Sequence, residues 1–206
     1  MAAEIRQIYP ENPQPRLIKH AVEILESGGL IVYPTDTIYG LGVDLFNKQA
    51  MERVLRLKRT SQHKFLSFIC PDLKDIARYA IVPDYGYKIM RRVAPGRYTF
   101  VLRANREIPK ILIHHQKTIG VRIPDSKVAV SLCRELGRPI LSASVPHGSD
   151  GYYTDPHEIA EKYKHEIDLV LDAGIMFNQP STIVDFTGDE PVILREGSGD
   201  LAALSY

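Results

Sequence analysis

The chain has 206 residues, 44% apolar and 25% charged, with a formal net charge of +1. That length buries a core without staples, and the composition excludes disordered, collagen-like and disulfide-scaffold classes. Its longest apolar runs are too short to cross a membrane, residues 1–16 have no signal-peptide core, and Cys70 and Cys133 lie in apolar contexts without metal-ligand spacing, so a cytoplasmic protein is expected.

Taken in order, the pattern alternates between strand and helix. Residues 2–9 suit an edge strand. Residues 15–27 place Leu17, Ile18, Ala21, Val22, Ile24 and Leu25 on a helical face, and Gly28-Gly29 stops it. Residues 30–33 are a buried strand that Pro34 ends, since proline cannot donate to a ladder. A strand over 41–46 follows, then a helix over 48–59 capped by Asn47. Residues 65–70 read as a strand, and Asp72 and Asp84 each start a short helix. Residues 99–103 and 118–123 are strands, with a short helical turn near Pro109 between them. Ser126 caps a helix to Leu136 that Gly137 ends, and 139–144 is the next strand. Residues 146–155 are loop-like. A helix over about 156–166 precedes short strands at 169–172, 182–185 and 192–195. No linker or repeat interrupts this, so one α/β domain over 1–206 is predicted, a twisted mixed β-sheet flanked by helices.

Charge is unevenly placed. Between Arg53 and Arg122 there are 16 Lys/Arg and 4 Asp/Glu, against 10 and 21 in the remainder. Either one surface is basic and suited to the phosphates of a nucleotide or nucleic acid, or the two blocks lie side by side and neutralise each other.

Polar residues gather where strands end. Thr35, Asp36 and Thr37 follow the 30–33 strand, and Gly40 and Gly42 let the backbone turn or approach a ligand. Ligands of open α/β sheets sit off such ends. Arg122 ends its strand, where a guanidinium can grip a carboxylate, and Thr118 shares its face at an even spacing. Ser142 and Ser144 likewise share one face. Lys58 ends a helix. His114-His115 suits a surface loop, and no Cys/His cluster suggests zinc.

The segments Pro34–Gly42, Pro95–Thr99, Thr118–Pro124, Ser181–Asp185 and Arg195–Gly197, in this order and spacing, resemble the YrdC/YciO family over about residues 13–199. Its better-known members make threonylcarbamoyl-adenylate for tRNA modification. The resemblance implies the YrdC-like fold with a concave basic cleft. It also implies a reaction joining threonine, bicarbonate and ATP, the last with Mg2+, into threonylcarbamoyl-AMP and pyrophosphate. By resemblance Thr35, Arg122, Ser142 and Ser181 hold the threonine substrate, and Lys58, Thr118, Ser144 and Arg195 hold the nucleotide. No protein nucleophile and no metal-ligating residue set is expected. Such a site needs cations for the anionic substrates, neutral donors, and exclusion of water from a hydrolysable anhydride.

Two departures place the chain nearest the YciO branch. The synthase branch carries Lys-x-Arg after the helix, where this chain reads Lys58-Arg59-Thr60. It also carries Ser-x-Asn after the later strand, where this chain reads Ser144-Val145-Pro146. Proline has neither a side-chain donor nor an N–H. Weak or altered synthase activity is therefore expected. The alternative is a translation-associated protein that binds double-stranded RNA or tRNA through a broad basic face, as members of the family are described as doing.

Overall fold

One long sheet organises the chain. The structure, a computed structural model, describes residues 3–58, 66–105, 117–147, 151–176 and 179–204. The elements in chain order are β1 (Glu4–Gln7), α1 (Pro15–Glu26), β2 (Ile31–Tyr33), β3 (Gly40–Asp44), α2 (Lys48–Leu57), β4 (Ser67–Ile69), α3 (Leu73–Tyr79), β5 (Ala80–Ile81), α4 (Asp84–Val93), β6 (Tyr98–Ala104), β7 (Thr118–Arg122), α5 (Lys127–Leu136), β8 (Ile140–Ser144), α6 (Pro156–Lys162), β9 (Leu169–Asp172), β10 (Thr182–Asp185) and β11 (Val192–Arg195). Strands lie side by side as β1-β9-β2-β3-β8-β4-β7-β6-β10-β11, with β5 paired to β6. The sheet is mixed: β9 is parallel to β1 and β2, while β3 is antiparallel to β2 and β8.

The helix ends follow the residues that signal them. Asn47 accepts from the Ala50 N–H at 3.0 Å and Ser126 from the Ala129 N–H at 3.3 Å. Gly137 closes α5 at φ 69°, a backbone region that favours glycine. Two helices are shorter than the sequence suggests. α2 stops at Leu57 with Lys58 as its cap, and α6 stops at Lys162 because Tyr163 caps it through Ile159 and the chain then turns. The two-residue β5 and the 3-10 turn Ala202–Leu204 were not anticipated; β5 exists only through its pairing with β6. The turn expected near Pro109, the His114-His115 pair and Arg59-Thr60 lie outside the described residues.

The two sheet faces differ, and that difference makes the cleft. One face carries Leu41, Val43, Phe68, Phe100, Val121, Leu141 and Val184 into a continuous apolar core beneath α2, α3, α4 and α6. The other face carries Ile31, Tyr33, Ile69, Ile140, Leu169 and Leu171, covered by α1 and α5. Those two helices cover one half of it only. Beyond β8 the same face alternates outward as Ser67, Thr99, Val101, Thr118, Gly120 and Arg122, residues that line an open cleft. Cys70 and Cys133 are buried, as their apolar contexts suggest. Among the described residues no helix is long and apolar enough to cross a membrane.

Candidate ligand-binding cleft

The uncovered half of the sheet forms the floor of a cleft of about 1040 Å³, the upper end of ligand-pocket sizes, which run about 300–1,000 Å³. Register explains its lining. Ser67 of β4 pairs with Ser142 of β8 on one side and with Gly120 of β7 on the other, and Gly120 pairs with Val101 of β6. Small and hydroxylated residues therefore form one row across three strands, which Val101 extends onto β6. Thr35, Lys58, Thr118, Arg122, Ser142, Ser144, Ser181 and Arg195, the eight candidates from the sequence, all line this cleft.

Each arrives with its own constraints. The Thr35 hydroxyl donates to the Ile38 carbonyl at 2.7 Å and accepts from the Thr37 N–H at 3.1 Å, so it shapes the turn after β2. Lys58 reaches from the end of α2 and donates to the Ser144 carbonyl at 3.1 Å; burial pushes its pKa down. Arg195 sets Nε and Nη2 on the Ser181 carbonyl at 3.2 and 2.8 Å, and burial lowers its pKa as well. The Ser181 hydroxyl shares a 2.8 Å hydrogen bond with Thr99.

Arg122 is the most enclosed cation. Its side chain is 9% exposed, and Nη2 donates at 2.5 Å to Oδ1 of Asp36, 7% exposed. Burial lowers its pKa, and the Asp36 carboxylate opposes that shift. The arginine expected to grip a ligand carboxylate thus faces a carboxylate of its own chain. It does so through one nitrogen only. Nε of Arg122 and Oδ2 of Asp36 are buried without a partner, which leaves the guanidinium incompletely satisfied.

Three features depart from the sequence reading. Gly40 and Gly42 do not turn the chain, although Gly40 does line the cleft. They lie in β3, where a Cβ at Gly40 would come within 3.1 Å of the Tyr33 ring and one at Gly42 within 2.8 Å. They clear the path by which Tyr33 crosses β3 to reach Ser142. Charge is the second. Among the described residues between Arg53 and Arg122, the cations lining the cleft are Lys58 and Arg122. Arg53 is held by the Gly28 and Glu166 carbonyls and Asp168, and Arg103 by the Thr187 carbonyl. Among the described residues, then, crowding in sequence is not crowding around the cleft, because successive helices and strands point most of these cations elsewhere. With Arg195 added, the described lining holds three cations and one carboxylate, Asp185.

The third is what sequence reasoning missed: Asp36 as partner of Arg122, and Thr99 as partner of Ser181. Thr99 was legible in principle, since it alternates with the buried Tyr98 and Phe100. From the expected loop over 146–155, Pro146, His147, Gly151 and Tyr152 reach the cleft lining.

A model of the Sua5–YciO–YrdC family, whose description reads "Telomere recombination", matches residues 23–197. The uncharacterised protein YciO of Escherichia coli is 40% identical over 196 residues, 94% of this chain and 95% of its own. Its crystal structure superposes with a TM-score of 0.94 at 38% identity, covering 98% of this chain and 100% of that one. A putative threonylcarbamoyl-AMP synthase of Methanocaldococcus jannaschii is 32% identical over 200 residues, 94% of this chain and 93% of its own. The crystal structure of Pyrococcus abyssi Sua5 complexed with L-threonine gives a TM-score of 0.86 at 27% identity, covering 94% of this chain and 57% of that one.

Proposed function

The chain belongs to the Sua5–YciO–YrdC family, and from that premise we propose that it binds ATP and L-threonine in this cleft and condenses them with bicarbonate, slowly, into threonylcarbamoyl-AMP. The observation that carries the reading is electrostatic. Lys58, Arg122 and Arg195 all face one cleft, and burial pushes each of them toward its neutral form. Cations held at such a cost are relieved by an anionic ligand. A triphosphate and an amino-acid carboxylate are such ligands, and relatives named above are a putative synthase and a protein crystallised with L-threonine.

In the reaction the threonine amine takes up the bicarbonate carbon as a carbamate, with loss of water. A carbamate oxygen then attacks the α-phosphorus of ATP, and pyrophosphate leaves. No protein nucleophile enters; Arg122, Ser142, Ser181 and Thr35 orient the amino acid, and Lys58, Thr118, Ser144 and Arg195 hold the nucleotide. Mg2+ would accompany the phosphates. Asp185 is the carboxylate on the described cleft lining, and its Oδ1 already accepts from the Thr187 N–H, so an Mg2+ ion here would be held chiefly by phosphate oxygens and water and would offset the phosphate charge.

Slow turnover follows from Thr60 and Pro146, which stand where the synthase branch has an arginine and an asparagine. The test is calorimetry with ATP and threonine, separately and together, followed by bicarbonate-dependent pyrophosphate release from wild type and the Thr60→Arg/Pro146→Asn variant. Binding of both ligands with faster release in the variant is expected. Absence of either ligand's binding refutes the reading, and steeply salt-dependent duplex RNA binding in its place transfers the cleft to nucleic acid.

A further inference from the structure

Tyr33 lies outside the cleft and has been given no part in its chemistry. Its ring is fully buried between the sheet and the layer of α1 and α5. Its hydroxyl is 2.7 Å from Oγ of Ser142, and that is its hydrogen bond. Burial raises its pKa strongly, so the phenol keeps its proton.

The direction of this bond is fixed by what surrounds it. If Ser142 donated, the phenolic proton would be left unpaired in an apolar core, which is costly. Tyr33 therefore donates. Ser142 Oγ accepts that hydrogen bond, and its own O–H is left to donate elsewhere. Ser142 lines the cleft in the row that holds Ser67 and Gly120. A serine that accepts from a phenol has one of its two acceptor sites filled and its oxygen held in place, and its O–H is left to turn toward the ligand.

The sheet is built to permit this contact. Tyr33 pairs with Gly40, and Gly42 pairs with Ser142, so the ring crosses a whole strand to reach its partner. A Cβ at Gly40 would sit 3.1 Å from both Ser142 Oγ and the ring. Two glycines in a five-residue strand carry a conformational cost, which this crossing explains.

We propose that Tyr33 is a positioning residue that holds the Ser142 hydroxyl in place for its O–H to donate a hydrogen bond to an oxygen of the amino-acid substrate. The proposal rests on the reading above, and its test separates the two. L-threonine and ATP are titrated separately into wild type, Tyr33→Phe, Ser142→Ala and the double variant. Phenylalanine fills the same space without the hydroxyl. Tyr33→Phe is expected to weaken threonine binding roughly 2- to 10-fold, the worth of one neutral hydrogen bond. ATP alone is expected to bind within about 2-fold of wild type, since a loosened core would cost both ligands alike. The double variant is expected to match Ser142→Ala, because without the serine the phenol has nothing to orient.

Equal losses for ATP and threonine, unchanged threonine affinity in Tyr33→Phe, or additive losses in the double variant each overturn the proposal. Threonine binding absent from wild type overturns the parent reading and this one with it. Should Tyr33→Phe fail to fold, Gly42→Ala takes its place. It lies outside the described cleft lining, keeps both hydroxyls and crowds the Tyr33 ring, and it too should weaken threonine more than ATP; equal weakening overturns the proposal.

Discussion

Replacing Asp36 with asparagine tests the centre of the cleft most directly. The Asp36–Arg122 pair is nearly sealed from solvent, at 7% and 9% side-chain exposure, and is joined by one 2.5 Å hydrogen bond. Removing one member of such a pair strands a buried charge, which costs about 3–5 kcal/mol. Asparagine keeps the shape and a carbonyl acceptor, and so retains a neutral hydrogen bond worth about 0.5–1.5 kcal/mol. The net loss expected for Asp36→Asn is about 2–4 kcal/mol. For a chain of this length each kcal/mol moves Tm by about 2–4 °C, giving a fall of about 4–16 °C.

Urea denaturation followed by circular dichroism on wild type, Asp36→Asn, Arg122→Met and the double variant reads this out. The double variant should lose less than the sum of the singles, because neither charge is then left alone. It should lose little in absolute terms too. The wild-type pair leaves Nε and Oδ2 unpartnered, so its own net contribution is small. A loss below about 1 kcal/mol for Asp36→Asn would show that the guanidinium is not held by this carboxylate in solution. Additive losses would refute the coupling.

Lys58→Met should stabilise the protein while weakening ATP roughly 10- to 150-fold, the worth of one charged hydrogen bond. Because burial lowers the folded-state pKa of Lys58 below its usual 10.5, the unfolded chain holds the extra proton; wild-type stability gains from this group as pH rises through that window and carries the full penalty below it. Urea curves from pH 7 to 11 should therefore show the wild type closing its deficit to the Met variant, and parallel curves would contradict the assignment. Gly42→Ala should cost about 1–3 kcal/mol by overpacking, since its methyl would meet the Tyr33 ring at 2.8 Å and Ile140 at 3.0 Å; thermal denaturation within 1 °C of wild type would show that the ring does not cross β3.

The sequence reveals what is local and loses what is not. Asn47, Ser126 and Gly137 act within four residues of themselves, so their helices were placed within a residue or two. Period-two spacing put Thr118 and Arg122 on one face, and both line the cleft. The Asp36–Arg122 pair spans 86 positions and the Tyr33–Ser142 bond spans 109. No periodicity encodes such pairs; they follow from strand order, which places β8 between β3 and β4. The clearance that the two glycines of β3 give to Tyr33 was missed for the same reason. A glycine records that something comes close, and without the register nothing says whether it is a ligand or an aromatic ring from the same sheet.

Strand order also changes what the Pro146 departure means. In sequence it is a missing donor. In the structure Pro146 lines the cleft, and its carbonyl accepts from the Tyr163 hydroxyl at 2.5 Å. Tyr163 in turn packs edge-on against Tyr153, and Tyr153 against His147. The backbone after β8 is therefore tied to the end of α6 by edge-on aromatic contacts and a hydrogen bond. Its acceptor is spent inside the protein, and proline has no donor to replace it. The described Lys or Arg side chain at this end of the cleft is Lys58, whose ammonium is drawn toward the Ser144 carbonyl. A nucleotide arriving here competes with that carbonyl for the lysine and gains nothing from position 146. Its affinity then depends on how far anion binding relieves the desolvation of Lys58 and Arg195, a gain that grows as the ligand's charge grows. On that reasoning ATP should be held more tightly than AMP by a wide margin, and the cleft should release the adenylate more readily than it releases the triphosphate.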